Sequence, residues 1–75
     1  MTYEVRAVRL QSATCSVNAR CVRIRGRWIA SADTPSGPSL GYGTTGFAAM
    51  WMALEPYEDA VQELLASVPP EVLRA

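Results

Sequence analysis

The sequence predicts an α+β domain in which a three-stranded antiparallel sheet packs on one long C-terminal helix. Apolar residues recur every three or four positions after residue 45, which is the period of a helix. Before residue 33 they alternate with polar residues, which is the period of a strand. A chain of 75 residues with 49% hydrophobic content supplies one small core, so we expect a single domain over residues 1–75 with βββα order.

Three segments in the first half of the chain show the alternation of strands. They cover residues 2–11, 19–25 and 27–32. The first segment changes phase between Ala7 and Val8, which predicts a bulge. Arg25 and Gly26 form a connection short enough for a tight hairpin between the second and third segments. Residues 33–44 contain two prolines and three glycines, so their composition predicts a loop.

The helix is predicted over residues 45–67. Its apolar stripe consists of Phe47, Met50, Trp51, Leu54, Tyr57, Val61, Leu64, Leu65 and Val68. Thr44 or Thr45 can cap the first turn. Pro56 is unfavourable inside a helix, by about 3 kcal/mol, because it removes a backbone donor. The stripe keeps its phase across Pro56, which favours one helix kinked near residues 53–56 over a second helix that starts at Pro56.

Met50, Trp51 and Met52 are three large apolar residues in succession on this helix. At 100° per residue they span about 200°, so they cannot all face one sheet. We therefore expect Trp51 or Met52 to contact a second surface. That surface is either a partner subunit in a homodimer or the segment 33–40.

The formal net charge is zero, but the two signs are separated along the chain. Six of the seven arginines lie in the first 27 residues, and six of the seven acidic residues follow residue 32. Guanidinium groups suit phosphates and carboxylates, so the basic hairpin is one candidate partner-binding site, consisting of Arg20, Arg23, Arg25 and Arg27. The acidic face of the helix is the other candidate, consisting of Glu55, Glu58, Asp59 and Glu63. A solvated charged face is the alternative for both sets.

Residue types that carry catalysis are scarce. There is no histidine, so the commonest general base and metal ligand are missing. Cys15 and Cys21 are too few for a disulfide framework or a zinc site. Residues 41–46 form a glycine-rich entry to the helix rather than a phosphate-binding loop, because no Gly-Lys-Ser/Thr follows them. We therefore expect no enzymatic activity, no metal and no cofactor.

A resemblance to a known family is carried by an aromatic-x-Ala strand, Trp28, Ile29 and Ala30, then a Pro/Gly loop and Gly43-x-Thr45 before an alanine-rich helix. Over residues 20–66 this order resembles the short HicB-type antitoxin domain. The resemblance implies a βββα layer related to dsRNA-binding and degraded RNase-H-like folds. It also implies binding to a toxin protein, often as a dimer.

The size, separated charge and missing catalytic residues also have the general character of a phage-encoded inhibitor of the anti-CRISPR type. We predict a non-enzymatic protein-interaction module that docks on a protein or nucleoprotein machine. Two alternatives stay open: a HicB-like antitoxin that neutralises a small toxin, and direct nucleic-acid binding by the arginine-rich hairpin. With no apolar segment of ~20 residues and no signal-peptide core, we expect a cytoplasmic protein, in the host cytoplasm if it is phage-encoded.

Overall fold

The computed structural model describes residues 4–72, in which helical segments cover one side of a single antiparallel sheet. The sheet has four strands, β1 (Val5–Gln11), β2 (Ser16–Ile24), β3 (Arg27–Thr34) and β4 (Gly37–Gly43), in the order β1-β2-β3-β4. The helical layer consists of α1 (Gly46–Leu54), a 3₁₀ segment (Glu55–Ala60), α2 (Val61–Ala66) and a final 3₁₀ turn (Pro70–Val72). The α+β class agrees with the sequence, but the predicted number of strands, three, is wrong.

The fourth strand comes from residues 33–44, which the sequence predicts as a loop. β3 continues to Thr34, and a two-residue turn leads to Gly37 at the start of β4. The Thr34 hydroxyl holds this turn by donating to the Gly37 carbonyl at 2.5 Å. Pro38 lies opposite Asp33 on an edge strand, where a missing backbone donor need not interrupt the sheet. Proline and glycine here mark a hairpin at the sheet edge rather than a loop.

β1 runs without the predicted bulge. Its register with β2 is continuous, from Val5 opposite Val22 to Gln11 opposite Ser16. The change of phase in the sequence has a different cause. Apolar residues in the first half of β1 lie on the exposed side of the sheet, whereas Leu10 lies in the core. The predicted start of this strand near residue 2 lies outside the described residues.

The hairpin between β2 and β3 has the tight connection that the sequence predicts. Ile24 pairs with Arg27, and both residues between them have positive φ angles, 53° for Arg25 and 77° for Gly26. Two positive φ angles in succession are typical of a type I′ turn, whose twist matches that of paired strands.

The predicted long helix is interrupted. Thr45 caps α1 as expected, because its hydroxyl accepts a hydrogen bond from the Ala48 N–H at 3.1 Å. Pro56 lies in the first turn of the 3₁₀ segment, where its missing N–H breaks no helical bond. Glu58 then leaves the helical conformation, with φ 48° and ψ −109°. The favoured single kinked helix is therefore wrong, and the second helix starts at Val61 instead of Pro56.

The core lies between the sheet and the two helices. It consists of Leu10, Val17, Ala19, Cys21, Trp28, Ala30, Ala32, Ala49, Met50, Ala53, Leu54, Val61, Leu64, Leu65 and Val68. α1 approaches β4 so closely that a Cβ on Gly41 would clash with the Ala49 carbonyl oxygen and lie 2.6 Å from the Ala53 nitrogen. The helix residues at this close contact are Ala49 and Ala53, and two large residues of the same helix, Met50 and Leu54, are also fully buried. The predicted apolar stripe is therefore wrong at Phe47 and Trp51, which lie outside the core.

Hydrogen bonds fasten the second half of the helical layer to the sheet. The Tyr57 hydroxyl donates to the Asp33 carbonyl at 2.5 Å, at the end of β3. The Arg6 guanidinium donates to the Glu71 carbonyl at 2.7 Å and holds the final 3₁₀ turn against β1. Within residues 4–72, no helix has the length and apolar character needed to cross a membrane.

Candidate protein-interaction surfaces

The outer side of α1 exposes three large apolar side chains. Phe47 is 52% exposed, Trp51 40% and Met52 42%. Phe47 and Trp51 lie about one helical turn apart, and their ring centroids are 5.9 Å apart with planes inclined at 43°. The helix therefore has the second apolar edge that its sequence predicts around Trp51 and Met52. The segment 33–40 forms part of β3 and β4 and leaves both side chains exposed, so the prediction that it covers this edge is wrong; cover by a partner subunit stays a prediction.

Acidic residues flank the apolar edge where α1 meets the 3₁₀ segment. Glu55, Glu58 and Asp59 are exposed, and together with Trp51 they line a cleft of about 430 Å³. Glu58 has a positive φ of 48°, which a non-glycine residue adopts at a cost of about 1–3 kcal/mol. We define the helix surface as Phe47, Trp51, Met52, Glu55, Glu58 and Asp59.

Glu63, the fourth member of the predicted acidic face, has a different role. Its carboxylate accepts a hydrogen bond from the Ala13 N–H, in the connection between β1 and β2, at 2.9 Å. It therefore joins α2 to the sheet. The predicted acidic face is divided between three residues beside Trp51 and one that fastens a turn.

The side of the sheet away from the helices carries a continuous apolar row. Strand register places Val5, Val22, Ile29 and Tyr42 side by side across the four strands. Val5 is 58% exposed and Tyr42 56%, and Leu40, which precedes Tyr42 on the same side of β4, is 54% exposed. Ile29 and Tyr42 also line a cavity of about 600 Å³ near the hairpin between β2 and β3.

The four arginines of the predicted basic hairpin lie in three places. Arg20 and Arg27 are exposed on the side of the apolar row, and Arg27 lines the 600 Å³ cavity. Arg23 lies opposite the buried Trp28 on the helical side of the sheet, and Arg25 lies at the tip of the turn. No other residue of the described chain makes an ion pair or hydrogen bond with any of these four side chains. We define the sheet surface as Val5, Ile29, Leu40, Tyr42, Arg20 and Arg27.

Both cysteines are free thiols packed in or against the core. Burial raises the pKa of the Cys21 thiol, and the nearby Arg6 guanidinium opposes this increase with a smaller effect. The Cys15 sulfur lies 3.2 Å from the Ser12 hydroxyl oxygen. In the described part of the chain, no three histidine, cysteine or acidic side chains are grouped in a way that could hold a metal ion.

Sequence reasoning missed the sheet surface and the exposure of Phe47. Val22 and Ile29 share their strand sides with arginines, a mixed pattern that is typical of any half-exposed strand. Leu40 and Tyr42 alternate with small residues, which is a strand signal, but the surrounding prolines and glycines pointed to a loop. The register of four strands, which brings these residues together, follows from tertiary structure and not from any single segment.

Comparison with known proteins adds no assignment to this geometry. No family model matches the chain, and neither the curated proteins nor the solved structures contain a match. The two surfaces are therefore the features of this chain that bear on its function.

Proposed function

We propose that this chain is a non-enzymatic protein-interaction module that docks its helix surface on a basic surface of a protein or nucleoprotein machine. The observation that supports the proposal is an exposed aromatic pair, Phe47 and Trp51, beside three exposed carboxylates. Aromatic residues surrounded by polar neighbours are typical of the residues that dominate binding energy at protein interfaces. A module that binds in this way would inhibit its target by occupying the target's surface, without catalysing a reaction.

The apolar part of the helix surface supplies the affinity. A half-exposed Phe or Trp side chain has roughly 75–125 Å² left to bury, which contributes about 2–3 kcal/mol at ~25 cal/mol per Å². Trp51 also lines the cleft beside the acidic residues, so a basic side chain of the partner that enters the cleft meets the aromatic ring and a carboxylate together.

The carboxylates determine which partner is chosen. Glu55, Glu58 and Asp59 favour a basic surface and repel nucleic acid, so they fit a protein groove that itself binds nucleic acid. The anti-CRISPR and antitoxin assignments stay predictions of this kind, and we expect the module to act in the cytoplasm. Direct nucleic-acid binding has less support, because only two of the four hairpin arginines share the sheet surface.

Affinity capture with matched variants tests the proposal. Tagged wild type, Trp51→Ala, the double variant E55R/D59R and the control Arg23→Glu are incubated with native host lysate, with and without nuclease treatment. Retained proteins are identified by mass spectrometry. We expect one protein to be retained by the wild type and by Arg23→Glu, and lost by both helix-surface variants. The purified pair should then bind with an affinity that decreases with salt.

Two results would contradict the proposal. A protein retained equally by the wild type and all three variants does not bind the helix surface. Capture that disappears from the wild type on nuclease treatment indicates that nucleic acid, and not protein, is the partner.

A further inference from the structure

The sheet surface is a second exposed apolar surface, on the side of the sheet opposite to the helices. We propose that it binds the helix surface of a second copy of this chain, in a head-to-tail contact. Two independent properties of the described residues support a second copy as the partner. One is the shape of the apolar parts of the two surfaces, and the other is their charge. The contact uses the same helix surface as the proposed function, but it requires no other protein.

The apolar parts of the two surfaces complement each other in shape. The helix surface projects an aromatic pair, Phe47 and Trp51, from a convex helix. The sheet surface offers a cavity of about 600 Å³ lined by Ile29, Tyr42 and Arg27. This volume lies within the range of roughly 300–1,000 Å³ that is usual for pockets that bind small molecules, so it has room for an aromatic side chain. Arg27 at its edge can also lie over an aromatic ring, which is a favourable cation–π contact.

Charge disfavours a symmetric contact and favours a head-to-tail one, although one acidic residue, Asp33, is also exposed on the side of the sheet surface. Two sheet surfaces packed face to face would bring Arg20 and Arg27 close to the same arginines of the other copy. Two helix surfaces would likewise bring carboxylates together. A sheet surface against a helix surface instead places arginines opposite acidic residues such as Glu55 and Asp59. Contacts between different surfaces of identical chains are heterologous, so they can repeat from copy to copy.

The area of the sheet surface limits the strength of this contact. Four strands of seven to nine residues, ~4.8 Å apart and rising ~3.3 Å per residue, give a face of roughly 15 by 25 Å. This is smaller than the ~800 Å² per partner of a standard stable interface. We therefore expect a dissociation constant between about 100 μM and 1 mM. A tighter partner of the helix surface would displace the second copy.

Sedimentation velocity on the purified chain, from about 10 μM to about 1 mM, tests the contact. At low salt the weight-average sedimentation coefficient should increase with concentration, and high salt should reduce that increase. R20E/R27E reverses the charge of the sheet surface, and E55R/D59R reverses the charge of the helix surface. Each variant alone should associate at least ~10-fold more weakly than the wild type, because attraction becomes repulsion.

Mixing the variants distinguishes a head-to-tail contact from a symmetric one. R20E/R27E retains an intact helix surface and E55R/D59R an intact sheet surface, so an equimolar mixture should recover association. The chain that carries all four substitutions should recover it as well, because both charges are exchanged. Arg23→Glu, on the other side of the sheet, should associate like the wild type. Circular dichroism and thermal melts verify that each variant is folded.

Three outcomes would overturn the inference. The first is a wild type that stays monomeric at the highest concentration. The second is association that E55R/D59R leaves unchanged, which indicates a sheet-to-sheet dimer. The third is loss of the captured partner by R20E/R27E, which assigns the sheet surface to that partner. Because R20E/R27E keeps the helix surface, failure of this inference leaves the capture experiment on the helix surface intact.

Discussion

The two sides of the sheet differ in how small and large side chains are used. The helical side includes four small buried residues, Ala19, Ala30, Ala32 and Gly41. On the other side, alternate residues of the same strands include Val5, Ile29, Leu40 and Tyr42, three of which are more than half exposed. Larger core residues, Leu10, Val17 and Trp28, also lie on the helical side, so large apolar side chains occur on both sides of the sheet, but only the uncovered side leaves them exposed.

Close approach explains the small side, and the proposed contact would account for the large one. Small residues allow the backbone of α1 to lie directly on β4, which gives many contacts from little volume. Large apolar side chains on the uncovered side gain little from folding and gain more when a partner removes them from water. The helical side therefore holds the fold of this chain together, and the uncovered side carries the surface that we propose for recognition.

Replacing Gly41 by valine should have the largest effect on stability. Even the first added carbon clashes with the Ala49 carbonyl and lies 2.6 Å from the Ala53 nitrogen, and backbone atoms cannot move aside as a side chain does. We expect a loss of at least about 3 kcal/mol in the free energy of unfolding, measured by urea denaturation. Leu40→Val is the control, because Leu40 is adjacent to Gly41 in the sequence and lies on the other side of the sheet. It should change the free energy of unfolding by less than about 1 kcal/mol. Equal effects would remove the contrast between the two sides.

Truncating large residues on α1 should sharpen the same contrast. Leu54 is fully buried, so Leu54→Ala should lower the free energy of unfolding by about 2–5 kcal/mol. Trp51, about one turn earlier, is 40% exposed, so Trp51→Ala should cost less than half as much despite removing more atoms. Chemical denaturation monitored by circular dichroism measures both variants. A larger loss for Trp51→Ala would show that the aromatic pair stabilises the fold instead of serving recognition.

The sequence predicts the local elements of this fold better than their arrangement. The Arg25–Gly26 turn and the Thr45 cap follow from short-range rules of φ angle and hydrogen bonding. The fourth strand could not be predicted in this way. Pro38 is acceptable only on an edge strand, and the position of a strand in its sheet is a tertiary property. The stripe failed at Phe47 for a similar reason, since the close approach at Gly41 determines which helix face is buried.

The candidate surfaces were predictable to a smaller extent. Trp51 and Met52 could be placed on a second edge, because three consecutive large residues exceed one helix face. The hairpin arginines are close in sequence but do not form one surface. Side chains alternate along a strand, so Arg20 and Arg23 lie on opposite sides of the sheet. The role of Glu63 depends on a bond to Ala13, 50 positions away in the sequence, which no local pattern indicates.

Tyr57→Phe should have an intermediate effect on stability. It tests whether one hydrogen bond fastens the 3₁₀ segment to the sheet. The Tyr57 hydroxyl donates to the Asp33 carbonyl at the end of β3, so its removal leaves that carbonyl to water. We expect a loss of about 1 kcal/mol in the free energy of unfolding. Hydrogen exchange should increase in the 3₁₀ segment and stay unchanged in β1. An equal increase in both elements would mean that this bond supports the whole fold and not one local closure.

The smallest effect expected is a pH dependence that arises from the helical side alone. Burial raises the pKa of Cys21, so the folded chain keeps this proton at a pH where the unfolded chain has lost it. The associated stability is fully present below the ordinary thiol pKa of about 8.5 and is lost as the pH rises through the higher pKa of the folded state. The free energy of unfolding should therefore decrease between about pH 8 and pH 10.

Comparing variants assigns this alkaline slope to one residue. Urea denaturation at several pH values should give a shallower slope for Cys21→Ala than for the wild type. Val22→Ala, the next residue on the opposite side of the sheet, should keep the wild-type slope. Burial also raises the pKa of Tyr57, which adds loss of the same sign nearer pH 10, so the comparison is repeated in Tyr57→Phe. If Cys21→Ala kept the wild-type slope, ionisation of the Cys21 thiol would not be the cause of the alkaline loss of stability.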